Sequence, residues 1–479
     1  MTSHVFKAIV LVLMLTGHVR AEIYRIEPET NIKELCKKVT AGDTIVMKNG
    51  VWRDLELKFD LPAGTEESPI TIEAQTPGKV VFSGMTRFRV AGQHVVVSGM
   101  VFRDCTSDKD SLELRTDKKR PAFHSRVTQC VFEQTKEFQT NKSPKWLSIH
   151  GSDNRVDHCY FAGKRTLGTT LVVWLHEEPG KHRIDHNFFG PRPELGQNGG
   201  ETIRIGTSTF SESSCQTVVE DNYFFECDGE TEVISNKSCD NIYRHNVFDR
   251  CNGTLTLRHG HRCLVDGNLF LGREKNHTGG VRVIGKGHRV INNYFEGLRG
   301  ENIRAAVCLM NGIPNGPLNG YAPVEDAIVA HNTIIDCTSS VAIGAGVGTR
   351  NRTIVPKGCL LSNNLFASGE RHPVVLHAEP SDFVWEGNKQ QSGGAPGNQP
   401  VNFDQIKLRM QHGADGILRP AGIKQLKTSA VAKLEIKTDV DGESRDETVI
   451  AGCDDPRTEK RQFASPADTG PDWWRSKNN

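Results

Sequence analysis

What this sequence does not contain already narrows the choice of architecture. No stretch reaches about twenty consecutive apolar residues, so no membrane-spanning helix is expected. There is almost no net charge: 59 basic residues face 58 acidic ones. Such a chain is not held to nucleic acid by its overall field, and any polyanion it binds must be met by a local basic cleft. No Cys-x-x-Cys pair occurs among the thirteen cysteines, which removes the usual zinc-ribbon and redox spacings. Thirteen is odd, so at least one thiol of a single chain stays unpaired, and no bridge is assigned.

The amino terminus reads as an export signal. Lys7 precedes an apolar run from Ala8 to Leu15, and Val19-Arg20-Ala21 ends in the small residue a signal peptidase accepts. Cleavage would leave residues 1–21 behind and start the mature chain at Glu22, in a secreted or periplasmic setting. The signal carries Lys7 and Arg20 and no acid, so 57 bases would remain against 58 acids. Nothing in the sequence sets an oligomeric state.

The strongest pattern is a recurring Asn-aromatic/aliphatic-Phe motif. It occurs at Asn187-Phe188-Phe189, Asn222-Tyr223-Phe224, Asn246-Val247-Phe248, Asn268-Leu269-Phe270, Asn293-Tyr294-Phe295, Asn332-Thr333-Ile334 and Asn364-Leu365-Phe366. Degenerate copies with Met or Cys in the Asn place end at Phe102, Phe132 and Phe161. From Phe102 to Phe366 the steps are 30, 29, 28, 35, 24, 22, 25, 39 and 32 residues. Short β-branched segments such as Val218-Val219 and Val290-Ile291 precede the motif and favour strands. A period of this length without a 3.6-residue apolar rhythm argues against helical repeats. A propeller would need units of about 40 residues. The expected fold is therefore all-β, a right-handed parallel β-helix in which Asn stacks on Asn at a bend and Phe on Phe in the core. Many cysteines recur at one phase of this repeat, as stacked small apolar side chains would. Residues 22–50 predict a short amphipathic helix and a strand as an N-terminal cap. Residues 22–390 form the expected solenoid, the Gly/Gln-rich segment 388–400 a linker, and 391–479 a C-terminal extension folding back along it.

One region carries more chemistry than a repeat requires: Asn198-Gly199-Gly200-Glu201-Thr202-Ile203-Arg204, then Gly229-Glu230-Thr231-Glu232-Val233-Ile234-Ser235-Asn236-Lys237, then Leu257-Arg258-His259-Gly260. Glu230 and Glu232 are two apart, so in a strand they leave the same face. Two close carboxylates favour a cation between them, and Asn198 one coil earlier could supply a third oxygen to Ca²⁺. An ordinary solvated strand face gives the same Glu-x-Glu pattern. Lys237 and Arg258 are 21 residues apart, almost one bare coil, so they would stack on neighbouring coils. They could be an ion-pair ladder with the acids, or functional groups on the loop-like segments expected around 235–238 and 258–260.

Together these three motifs resemble polysaccharide lyase family 6, which holds alginate lyases and chondroitinase B. The likeness runs from about residue 24 to the end and includes Asp439–Gly442 and Gly470–Trp473. The resemblance implies Lys237 as Brønsted base, Arg258 as acid, and Asn198, Glu230 and Glu232 as calcium ligands. It places His259, Glu201 and Arg204 near the cleft, in substrate contact or structural support. The implied reaction is calcium-assisted β-elimination of a 4-linked uronate polymer, an acidic polysaccharide. Lys237 has to be neutral to act as base, a form that nearby cations favour. Arg258 stays charged in ordinary environments, so stabilising the leaving oxygen electrostatically is the alternative to donating a proton. Alginate rich in mannuronate is the expected substrate and dermatan sulfate the alternative; Lys118-Lys119-Arg120 could serve a sulfate or be a solvated loop. The rivals from other classes are a β-helix glycoside hydrolase, which needs cooperating carboxylates and gives Lys237 and Arg258 no task, and a non-catalytic carbohydrate-binding β-helix.

Overall fold

The structure, a computed structural model, describes residues 21–478 except 177, 368–371, 392–402, 414, 429–433, 446–448 and 455–460. The expected export signal thus lies outside the described residues but for Ala21, as does most of the expected linker.

Three fourteen-stranded sheets run the length of the chain. The first extends from Ile23–Ile26 to Val384–Glu386, and the third from Gly50–Arg53 to Asp404–Ile406. The second begins with Glu56–Ala63 and Arg87–Gln93 and ends at Val374–Leu376. Successive strands pass from first to third to second sheet and back, as Val218–Glu220, Tyr223–Phe225, Glu232–Lys237 and Ile242–Arg244 do. Each pairs in parallel with its counterpart one coil on. This is the predicted parallel β-helix, with the right-handed crossover that such connections take.

The motif works as the sequence suggests. Between the first and third sheets the chain turns on two residues, the first held at positive φ (His186, Asp221, His245, His331) and the second the motif Asn. Such a corner strands backbone groups away from the ladders, and the buried Asn satisfies them. Asn222 donates from Nδ2 to Ile184 O (2.8 Å) and Glu220 O (2.9 Å), and its Oδ1 accepts from Asn187 N and Nδ2 (both 3.0 Å). The side chains link coil to coil from Asn187 to Asn388, a rung the expected linker had hidden. Behind them Phe189, Phe224, Phe248, Phe270 and Phe295 stack at 4.6–4.9 Å between centroids, the spacing of adjacent strands. All thirteen cysteines are free, and all but Cys36 are buried.

The N-terminal cap is the helix Ile32–Cys36, whose first turn is closed by Asn31 Oδ1 accepting from Glu34 N (3.2 Å). The third sheet continues past residue 390, since Asp404–Ile406 pairs with Lys389–Gln391. The tail then folds back along the Asn corner. Cys453 N donates to Thr333 Oγ1 (2.9 Å), Arg461 pairs with Asp221 (2.6 Å), and Gly470 N donates to His186 O (2.9 Å). Trp473 Nε1 reaches Gln129 O (2.9 Å), and its ring fills the space where a side chain at Gly78 would collide.

Candidate active site

The candidate residues gather on the outer face of the second sheet. In its strands core residues alternate with an outward column in register: Val172, Arg204, Ser235, Thr256, Arg282, Cys308 and Ala342. Around 235–238 and 258–260 the expectation of loops is overturned: Glu232–Lys237 and Thr254–His259 are paired strands. They read as loops because they are rich in polar residues, Ser235 on the outward column and Asn236 in the core, and because the pairing is irregular. Asn236 faces Leu257 and Lys237 faces His259, so Arg258 is the extra residue of a β-bulge; Val233 is the extra residue of a second. A bulge re-aims a side chain and raises local twist. Lys237 and Arg258 do lie on neighbouring coils, but offset.

Acidic groups meet at the other end of these strands. Gly200 and Gly229 lie backbone against backbone; a Cβ on Gly200 would sit 2.3 Å from Gly229 O, and one on Gly229 would sit 2.2 Å from Gly200 O. Only glycines permit this approach, which explains the Gly-Gly-Glu and Gly-Glu-Thr-Glu spelling and draws Glu201 to Glu230. Beneath them the fully buried Arg192 guanidinium donates to Glu201 O (2.7 Å), Thr166 O (3.0 Å) and Gly168 O (2.9 Å). Glu230 is pushed up to about 8, first by burial and then by the charges of Glu201 and Glu232. Gly199 N donates to its Oε2 (3.2 Å), while its buried Oε1 has no partner among the described residues. Asn198, Glu230 and Glu232 line one cavity of about 400 Å³ with Arg282, Arg304 and Tyr321. Two carboxylates in one cavity, one with an orphaned oxygen, and an exposed amide form a donor set that suits a hard divalent cation.

Glu232 is the most engaged of the three acids, accepting from Arg282 Nη2 and Ser235 Oγ with Arg258 Nε 3.9 Å away. Lys237 has no hydrogen-bond or ion-pair partner among the described residues. Arg258 donates through Nη1 to Gly320 O (2.8 Å) and through Nη2 to Asn319 O (3.1 Å), and stacks 4.2 Å from the Tyr321 ring. His259 is buried, pairs with Ser208 Oγ (3.1 Å), and is driven down to about 3 by burial beside Arg258 and Lys237, so it is a neutral imidazole. Arg204 lies one coil before Ser235, its guanidinium 5.0 Å from the Trp174 ring. All eight candidate residues therefore sit on one face: Asn198, Glu201, Glu230 and Glu232 at one side, Lys237, Arg258 and His259 at the other, Arg204 one coil before Ser235.

Arg282, Tyr321 and Trp174 also belong to this face and were not picked out from the sequence. Arg282 had a signal, a lone charge between Val281 and Val283. Tyr321 sits in the longest step of the repeat, where only the fold shows which way the insertion turns.

The chondroitinase B family profile matches residues 26–413. Two solved structures of the PL6 family alginate lyase AlyGC, one of them a mutant, are 38% and 37% identical, with TM-scores of 0.80 and 0.81. The alignments cover 84% and 91% of this chain but only 56% and 59% of theirs, so this chain spans under two thirds of their length. A mannuronic acid specific polysaccharide family 6 lyase from human gut microbiota is 30% identical, with a TM-score of 0.69, covering 80% of this chain and 91% of its own. Among curated proteins no match was found.

Proposed function

Since this chain belongs to the chondroitinase B family, polysaccharide lyase family 6, we propose that it cleaves 4-linked uronate polymers by β-elimination, with alginate as its substrate. The observation that carries this reading is the partnerless Lys237 amine set one coil from the bulged Arg258, at the other end of the strand that brings Glu232 into one cavity with Asn198 and Glu230.

In the proposed reaction Lys237 Nζ, as the neutral amine, takes the C5 proton of the uronate. The C4–C5 double bond forms as the C4–O4 bond breaks, and the departing oxygen is protonated. Arg258 has both terminal nitrogens engaged by carbonyls, which favours electrostatic stabilisation of the leaving oxygen, with water as proton source, over donation by Arg258 itself. His259 and Arg204 flank the substrate. Asn198, Glu230 and Glu232 would hold Ca²⁺, with the charge of Glu201 felt at Glu230. A bound cation would neutralise the substrate carboxylate and stabilise the charge that builds on it. The N-terminal Lys7-to-Ala21 pattern supports export.

Alginate is preferred because the similar lyases are alginate and mannuronic acid enzymes. Of the cluster at 118–120, Arg120 is tied to Asp60 (2.5 Å), which leaves less free charge for a sulfate.

The test compares alginate and dermatan sulfate by the ultraviolet absorbance of an unsaturated uronate, before and after EDTA. We expect faster product formation on alginate, suppression by EDTA and recovery with Ca²⁺. Ca²⁺ at a hundred times its Kd should also stabilise the chelated protein by about 2.7 kcal/mol. Bond cleavage without that absorbance would point to a hydrolase, and faster dermatan cleavage would reverse the substrate choice.

A further inference from the structure

Past Arg282 the outward column of the second sheet is covered. Residues 312–323 leave the solenoid between two strands and lie back over its outer face. Gly312 exchanges hydrogen bonds with Ile354 (2.8 and 3.0 Å), and Ile313 N donates to Tyr321 O (2.8 Å), so the strap is tied at both ends. Tyr321 is held between two guanidiniums, Arg258 at 4.2 Å and Arg352 at 4.1 Å. With Ala322 and Ile303 it packs onto Cys308, Met310, Ala342 and Ala345, the outer residues of the next two coils. A sugar chain running along the sheet meets this wall past Arg282, two coils beyond Arg258.

In the opposite direction the face is built for a polyanion. Arg204 and Lys145 both lie over the Trp174 ring, at 5.0 and 5.8 Å from its centroid. Further on, a groove of about 550 Å³ is lined by seven bases, among them Arg87, Arg89, Arg115 and Lys142, against four acids. Glu113 pairs with Arg87 (2.7 Å) and Arg115 (3.1 Å) and Glu56 with Arg87 (3.2 Å) and Arg89, whereas Lys109, Lys118, Lys142 and Lys145 have no ion pair among the described residues. Register from Ser235 through Arg204, Val172, Ser148 and Glu113 to Arg89 makes five strand spacings, roughly 24 Å.

We infer that the cleft is one-ended: the polymer lies from the site toward Arg89, the strap admits only its terminal sugars, and cleavage releases short products from one chain end. This rests on the lyase reading and specifies how that site takes its substrate.

The experiment follows alginate digestion by viscosity and by product size against ultraviolet absorbance. The wild-type protein should give short unsaturated products from the first turnovers, with little viscosity lost per double bond formed. On size-defined oligouronates its rate per molecule should not rise with chain length once the groove is filled. The Tyr321→Ala variant, its wall loosened, should shift early products to longer sizes. A broad ladder of sizes and a steep viscosity fall from the wild-type protein at the outset would overturn the inference while leaving the lyase reading intact. Absence of unsaturated product on both alginate and dermatan sulfate would overturn the lyase reading, and this one with it.

Discussion

Lys237 differs from many arginines of this protein in what it lacks. Arg126, Arg155, Arg244 and Arg262 all spend their charge on a neighbouring carboxylate, whereas the Lys237 amine has no such partner among the described residues. Replacing it with Ala should leave the fold intact and cost a factor of about 10²–10⁴ in elimination rate, the usual contribution of a general base. Circular dichroism and thermal midpoint would check the first part, and the absorbance assay the second; near wild-type activity would remove Lys237 from the mechanism. Its candidacy was legible because three ordered motifs surround it. Arg282 was not picked out, since its task depends on Glu232 fifty residues earlier, and only register brings the two together. Glu201 was read as a substrate contact or a structural support, and the close approach of Gly200 and Gly229 lets its charge act on Glu230.

At the scale of the repeating element, the Asn column was legible because the corner imposes one requirement on every coil. A side chain there must both donate and accept within a dry turn, and Asn does this in the smallest space. Asn268→Ala would take the acceptor from the Asn246 backbone N–H and a donor from the Tyr243 carbonyl. We expect a loss of about 1–3 kcal/mol, read from the denaturant midpoint. A change within error would mean that water replaces the rung. What the period could not convey was irregularity. The bulges at Val233 and Arg258 insert single residues into an otherwise regular ladder, and polar segments carrying them read as loops. The direction in which a long insertion such as 312–323 folds is likewise set by contacts across coils, to Arg352 and Ile354, and by no local pattern.

For the molecule as a whole, acid is the condition that tests how tail and solenoid hold together. Burial beneath the tail drives His331 well below its ordinary range, with Arg445 adding to the effect, and takes His245 down to about 3 with Arg461 and Arg244 nearby. The unfolded chain would protonate both near 6.5. Between that value and the folded ones the unfolded state binds more protons, so stability falls as pH drops below about 6.5. Burial depresses His150, His182, His259 and His288 as well, so they act in the same sense. His186, Asp266 and Glu230 are raised and oppose it. With Ca²⁺ in excess, the thermal midpoint should be lower at pH 5 than at pH 7, and His331→Gln should flatten the difference; a midpoint that rises toward pH 5 would refute this balance. The same tail has a mechanical consequence. A bare solenoid is a one-dimensional stack that can fray from either end, each coil answering only to its neighbours. Here one strand of chain touches the coils of Thr333, Asp221, His186, Gln129 and Gly78 in turn. It acts like the spine of a bound book, so peeling one leaf strains the binding of the rest, and the stack should come apart in one cooperative event.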